Sequence, residues 1–402
     1  MRGGVSVRPS KNGRKTWRLH VNAAKNDAIG KRRQVARTVH GSKADAERAL
    51  RQLIRELESG IYVERSDLTV TGLLEKWLSA VSVSVRPNTL DCYRGPVHSY
   101  IAPAIGRMPA AKLTPARLSA FYGELLKTTG RRSKRPLSQR TVALVHRILS
   151  MAFNWGLTHQ LVGANPAKAV IPPKVRRPEL QVLDASTVSA ILEVLQRRSP
   201  WAVPIVAFAI RTGARRGEIL GLQWRDVDLD APTPGVTVRR SLVHLDNGAI
   251  VTGEPKTEKG TRTITLDRPS VEILRQRSAE ASASAALMHR AVRRTDHVFG
   301  DPEGKRLRPD SLSRAFARVA REVEASNASF HGLRHLHATE LLRAGVHPRV
   351  VQERLGHGDV TVTLNTYSHV VPGLQERAAE AFDQTFAFAM PKPEKRPALA
   401  VS

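Results

Sequence analysis

The chain has 402 residues, enough for two or three domains, and its 64 Lys and Arg against 36 Asp and Glu leave a formal charge of +28. An excess of that size, spread over the sequence and not confined to a tail, points to a polyanion partner, with nucleic acid ahead of a membrane surface because no basic amphipathic helix or lipidation signal stands out. One cysteine, Cys92, excludes an internal disulfide and a multi-cysteine zinc site, and the longest apolar run, Trp201 to Ile210, is broken by Pro204 and too short to cross a bilayer.

The N-terminus shows no apolar secretory core, so the chain is expected in the cytoplasm, associated with the nucleoid and with no membrane. Residues 1–60 read as a small unit. Its β-prone runs, Val5 to Arg8, Trp17 to Val21 and Gln34 to Val39, are separated by basic, turn-forming stretches. Ser42 with Asp45 three positions on makes a capping box, and Ala49, Leu50, Leu53, Ile54 and Leu57 give the next helix its apolar stripe. A three-stranded β-sheet backed by that helix would carry Lys11, Arg14, Lys15, Arg18, Lys31, Arg32 and Arg33 on strands and turns, where they can face a DNA groove.

Residues 67–171 turn helical. Leu73, Leu74, Trp77, Leu78 and Val81 form one stripe, and Asn88 is expected to cap a second helix running through Tyr100. Thr114 with Pro115 opens a third, with Leu118, Phe121, Tyr122 and Leu125 on its apolar face. Ser138 caps a fourth that buries Val142, Val145, Leu149, Ala152 and Trp155. The loop from Gly130 to Arg135 offers Arg131, Arg132, Lys134 and Arg135 to phosphates. Residues 172–180, within the stretch AVIPPKVRRPEL, read as an extended basic linker.

The third region, residues 181–390, reads as mainly helical with a small antiparallel β-sheet or hairpin, so the whole chain is a multidomain α+β protein. Residues 391–402 are expected to be a disordered tail. Asp184 caps one helix and a largely apolar one begins near Trp201. Val236 to Arg240 and Ala249 to Leu266 read as strands, with turns at Asp246-Asn247-Gly248 and around Glu258 to Gly260. Ser311 starts a helix carrying Leu312, Phe316 and Val319. Another runs from about His331 to Gly345, whose missing Cβ suits a left-handed cap; Pro348 then enters the first turn of a helix that Gly356 closes just before His357. Around Tyr367 the period fits a strand and a helix alike, and beyond Pro372 a helix from about Leu374 presents Ala378, Ala381, Phe382 and Phe386.

Groups that act on anions concentrate between His331 and Val370. Arg334 carries a permanent planar fork matched to phosphate oxygens, and His331, three residues before it, shares its helix face and can move a proton. His357 stands at a helix end. Tyr367 is the candidate nucleophile, since a phenol among cations loses its proton more easily than one in water. A zinc site built on His331 and His335 with His337 competes, but no Glu lies between the first two and Arg334 beside them opposes a cation.

Taken together, HGLRH, LGH and a Tyr followed by Ser-His-Val resemble the C-terminal signature of the tyrosine recombinases, the phage integrase family. TGARRGE from Thr212 is similar to that family's TGxRxxE pattern, and EPKTEKGTRTITL to its hairpin with a mobile lysine. The resemblance implies Arg215 as the first catalytic arginine, with the adjoining Arg216 pointing elsewhere and Glu218 as a brace. It implies Lys256 as general acid, with Lys259 as the alternative. His331, Arg334 and His357 complete the set, with Tyr367 on a helix as the nucleophile.

It further implies a site-specific recombinase working through a 3′-phosphotyrosyl intermediate, with no metal or other cofactor. Residues 1–60 would bind arm-type sites, 67–171 would grip the core site, and 181–390 would do the chemistry. The partners are double-stranded attachment-site DNA in a homotetramer, a DNA-bending host factor and an excision factor. The C-terminal helix would dock on a neighbouring subunit or on its own domain. One departure is Gly332, where many relatives have Asp, which loosens the expected helix start. The competing functions are a recombinase that resolves chromosome dimers, a type IB topoisomerase and a DNA-binding regulator without catalysis.

Overall fold

The structure, a computed structural model, describes residues 3–8, 16–25, 32–58, 67–130, 136–175, 183–245, 247–253, 260–356, 379–380 and 382–384. Lys11, Arg14, Lys15, Lys31, Arg131, Arg132, Lys134, Arg135, Asp246, Lys256, Lys259, His357 and Tyr367 lie outside the described residues. So do the side chains of Arg32 and Arg33, most of the helix expected from Leu374, and the tail at 391–402. By its contacts the chain divides into two compact units, residues 1–177 and 178–402.

In the first unit, strands β1 (Gly3–Arg8), β2 (Thr16–Lys25) and β3 (Arg32–His40) pair antiparallel in the order β1-β2-β3. Alternation puts Trp17, Leu19, Val21 and Val35 on one face, where they bury against Ala46 and Leu53 of α1 (Lys43–Glu58). Arg18 therefore points to the opposite, exposed face. The Ser42 hydroxyl accepts from the Asp45 N–H at 3.2 Å while Asp45 Oδ2 accepts from the Ser42 N–H at 3.1 Å, the reciprocal cap expected from the sequence.

A separate core gathers the helices α2 (Val70–Val81), α3 (Pro87–Pro96), α4 (Ala102–Ile105), α5 (Pro115–Lys127) and α6 (Gln139–Thr158) around Leu73, Leu74, Trp77, Phe121, Val145 and Phe153. Thr114 and Ser138 cap α5 and α6 through their hydroxyls, as expected. The second helix differs from expectation at both ends. Arg86, in extended conformation, takes the cap position and Pro87 opens the first turn, where a missing N–H leaves nothing unpaired. Nor does the helix stop near Tyr100. Pro96 lies inside it, and the next turn widens to π geometry over Val97–Ile101, the Ala102 N–H reaching back five residues to the Val97 carbonyl before the chain continues into α4.

The second unit packs α7 (Ala185–Arg198), α8 (Val203–Thr212), α9 (Arg216–Gly221), α10 (Arg268–Leu287), α11 (Pro309–Glu322), α12 (Phe330–Arg343) and α13 (Pro348–Leu355) with two small sheets. Strands β4 (Val227–Asp228), β5 (Gly235–Val238) and β8 (Arg262–Thr265) form one, in the order β4-β5-β8; β6 (Ser241–His244) and β7 (Ile250–Gly253) form the other. The stretch expected as strands from Ala249 to Leu266 is thus shared between two sheets. Its second half pairs back onto β5, bringing Ile264 opposite Val236 in the core with Phe208, Leu274, Phe316 and Leu333. Among the described residues no helix is long and apolar enough to cross a membrane.

Candidate active site

The site is built at three chain reversals. At the first, Gly213 ends α8 in the left-handed conformation (φ +63°), and Arg215 then stands extended at the head of α9. Glu218, one turn on and 2% exposed, holds Arg215 twice: Oε2 accepts from the Arg215 N–H at 2.9 Å and Oε1 from Nη1 at 2.7 Å. The other side of the same carboxylate meets Arg262 of β8, whose Nη2 donates to Oε2 at 2.9 Å and Nη1 to Oε1 at 3.3 Å. Burial alone would raise the Glu218 pKa. The charges and hydrogen bonds of Arg262 and Arg215 outweigh it and bring the value down to about 2. Arg216, expected to point elsewhere, pairs with Ser313 and Asp310 and lies on the lining of the same cleft as Arg215.

The second reversal leads into α12. Ser329 caps it by accepting the Gly332 N–H at 3.1 Å, so glycine at 332 leaves the helix start intact. Arg334, 2% exposed, donates from Nη1 to the Gly213 carbonyl at 2.9 Å and from Nη2 to the Leu355 carbonyl at 2.7 Å. His331 sits one turn earlier, open to solvent on one side, its ring edge-on to His335 at 4.8 Å. Partial burial, then the charges of Arg334 and Arg215, lower the His331 pKa and favour its neutral form. His337 has both ring nitrogens engaged: Nδ1–H donates to the Ile210 carbonyl at 2.9 Å and Nε2 accepts from Arg354 Nε at 3.1 Å. Those contacts fix its tautomer and take it out of the zinc set.

At the third reversal, Gly356 closes α13 with φ +66°. The last carbonyls of this helix have no partners within it. Three in a row are capped by arginines: Arg354 O by Arg262 Nε at 2.7 Å, Leu355 O by Arg334 Nη2 at 2.7 Å, and Gly356 O by Arg215 Nη2 at 3.4 Å. The negative end of the helix dipole strengthens each contact. The chain then passes to His357.

Arg215, His331 and Arg334 therefore line one cleft of about 540 Å³, which Arg216, Ser241 and Ser313 also line. A second cavity of about 440 Å³, lined by Trp201, Trp224, Arg277 and His297, holds none of the expected groups. Sequence reasoning missed Arg262. Its signal was present in the strand period, because Arg262 shares a face with Ile264 and Leu266, and an arginine on the buried side of a strand requires an acid.

Gly213 is required twice over, by its positive φ and by space. A Cβ there would lie 2.6 Å from the His337 ring and 2.7 Å from Leu355. Gly213→Ala is expected to destabilise the second unit by about 1–3 kcal/mol. Thermal melting measures the loss, and an unchanged midpoint would contradict the packing described.

Residues 181–372 match the family model described as the phage integrase family. A XerC-like tyrosine recombinase of Caldanaerobacter subterraneus subsp. tengcongensis is 26% identical over 396 residues, covering 94% of this chain and 98% of that one. The ICEBs1 integrase of Bacillus subtilis is 23% identical, covering 94% and 99%. Among solved structures, the Tn1549 transposon integrase in complex with transposon right end DNA aligns with a TM-score of 0.63 at 20% identity, over 80% of this chain and 100% of that one. A lambda integrase dimer bound to a core site aligns at 0.54 and 16% identity, over 90% and 93%. At those identities the solved structures speak for the fold.

Proposed function

We propose a cleavage mechanism for this chain, which belongs to the phage integrase family and is a tyrosine-type, site-specific DNA recombinase of the integrase kind. A phosphodiester is already negative, and its charge grows on the non-bridging oxygens as a nucleophile attacks. Arg215 and Arg334 stabilise those two oxygens, and His357 adds a third donor. The Tyr367 oxygen attacks phosphorus, its proton passing to neutral His331. The bond from phosphorus to the 5′ oxygen breaks, and Lys256 protonates that oxygen, leaving a 3′-phosphotyrosyl link and a free 5′-hydroxyl. The link retains the energy of the broken bond. A 5′-hydroxyl from the partner duplex then attacks it and releases Tyr367 without ATP or metal.

The observation that carries this reading is the convergence of Arg215, His331 and Arg334, from distant parts of the sequence, on a single cleft. The relatives' tasks extend it. Four copies assemble on paired attachment sites in the nucleoid, with a DNA-bending host factor and an excision factor as accessory partners. The outer face of the N-terminal sheet, with exposed Arg18, binds arm-type sites together with Arg14, Lys15, Arg32 and Arg33. The helices of residues 67–171, with the loop Arg131, Arg132, Lys134 and Arg135, hold the core site, and the linker at 172–180 follows the phosphate backbone.

The deciding experiment uses a nicked duplex that loses a short strand on cleavage. Tyr367→Phe is expected to bind it with wild-type affinity and to give no covalent adduct on a denaturing gel. Adduct formation by that variant would dismiss Tyr367 as nucleophile.

A further inference from the structure

We infer that Arg262 is a positioning residue for strand cleavage, one guanidinium that keeps three catalytic segments in register. The inference rests on the assignment of Arg215, Lys256 and His357 above. Arg262 opens β8, and its side chain is 7% exposed. Its donors are distributed among three directions. Two nitrogens form a parallel pair with Glu218, the carboxylate that orients Arg215 through both main chain and side chain. Nε donates to the Arg354 carbonyl in the last turn of α13, three residues before His357. Nη1 also donates to the Gly260 carbonyl at 3.2 Å, four residues after Lys256. Each contact ends on a segment that delivers a catalytic group.

Only a planar fork can serve all three at once. A lysine here keeps one positive charge against Glu218 but, as a single point donor, cannot hold the carboxylate and the helix end together. The approach is also too close for a side chain opposite. A Cβ on Gly356 would lie 2.9 Å from Arg262 Nη1, so the glycine admits the guanidinium as well as ending the helix. The geometry separates Arg262 from its two neighbours on the same helix end. Arg215 and Arg334 line the cleft and would meet the phosphate; Arg262 is not on its lining and acts on Arg215 through Glu218.

A purely structural arginine would affect folding, DNA affinity and rate together. A positioning residue affects the rate inside the bound complex. The test compares full-length wild type, Arg262→Lys and Arg262→Gln for melting temperature, affinity for the nicked duplex, and single-turnover adduct formation at saturating protein. Arg262→Lys is expected to stay folded and to bind within threefold of wild type, yet to form adduct roughly 100-fold more slowly, the size of effect a misplacement of about 1 Å produces. Arg262→Gln is expected to be slower still. If the glutamine variant melts below the assay temperature, the lysine variant decides alone. Adduct formation by Arg262→Lys within threefold of wild type overturns the inference, as does a loss that follows its melting temperature or DNA affinity. Tyr367→Phe in the same assay keeps the two ideas apart: an adduct from that variant removes the catalytic assignment, whereas an undiminished Arg262→Lys beside an inert Tyr367→Phe removes only the role of Arg262.

Discussion

Arg334→Ala is expected to lower strand cleavage by about 100- to 1000-fold, the usual loss when a preorganised donor to a developing anion is removed. The same change strips donors from the Gly213 and Leu355 carbonyls, each a cost of about 1–3 kcal/mol if left unpaired. Stability and rate therefore fall together in the alanine variant, and Arg334→Lys separates them. It keeps the positive charge and reaches one of the two carbonyls, so it should lose only about half as much stability as the alanine variant while cleaving nearly as poorly. Single-turnover adduct yield alongside a thermal melt measures both. A folded Arg334→Ala that cleaves at the wild-type rate would remove this residue from the chemistry.

Glu218→Gln is expected to have the largest effect on stability. The carboxylate is buried between Arg215 and Arg262, and taking away its charge leaves two guanidiniums facing each other, a loss of about 3–5 kcal/mol for a broken buried pair. The pH dependence follows from the sign of the shift. Burial pushes the group up and the two arginines overcome it, so its folded pKa of about 2 lies below the ordinary 4.5. A carboxylate shifted in that direction contributes its stability above the unfolded value and loses it as pH falls from about 4.5 toward 2. The wild-type midpoint should drop steeply through that window, while Glu218→Gln, already low at neutral pH, should drop less. Parallel melting profiles of the two proteins across the window would show that Glu218 is not the titrating group.

Local rules made much of this legible. Ser138, Thr114 and the Ser42–Asp45 pair announced helix starts because a cap needs only its own next turn, and Gly345 and Gly356 announced ends because a positive φ excludes most other residues. His331 and Arg334 were legible by type and spacing and Arg215 through the family resemblance, and the structure gathers the three in one cleft. What escaped was set by tertiary contact or by weak pattern. Helix α10 buries little beyond Leu274 and Ala285 among alternating Ala and Ser, so no apolar stripe marks it, although Asp267 and Pro269 sign its start. The passage of α3 beyond Pro96 depends on a π turn that the order of residues does not encode in any simple way. Arg262 was visible as a charge on an inward strand face, but its partners lie 44 and 92 residues away and belong to the folded state alone.

The seat of Arg334 has an evolutionary side. Both of its acceptors described above belong to the main chain, so no exchange of side chains at positions 213 or 355 deletes an oxygen. Only a rerouted backbone can do that. The oxygens are thus out of reach of a side-chain change even though Gly213 itself is fixed by its positive φ, whereas Arg215, moored to a carboxylate, ties the fate of position 215 to that of position 218.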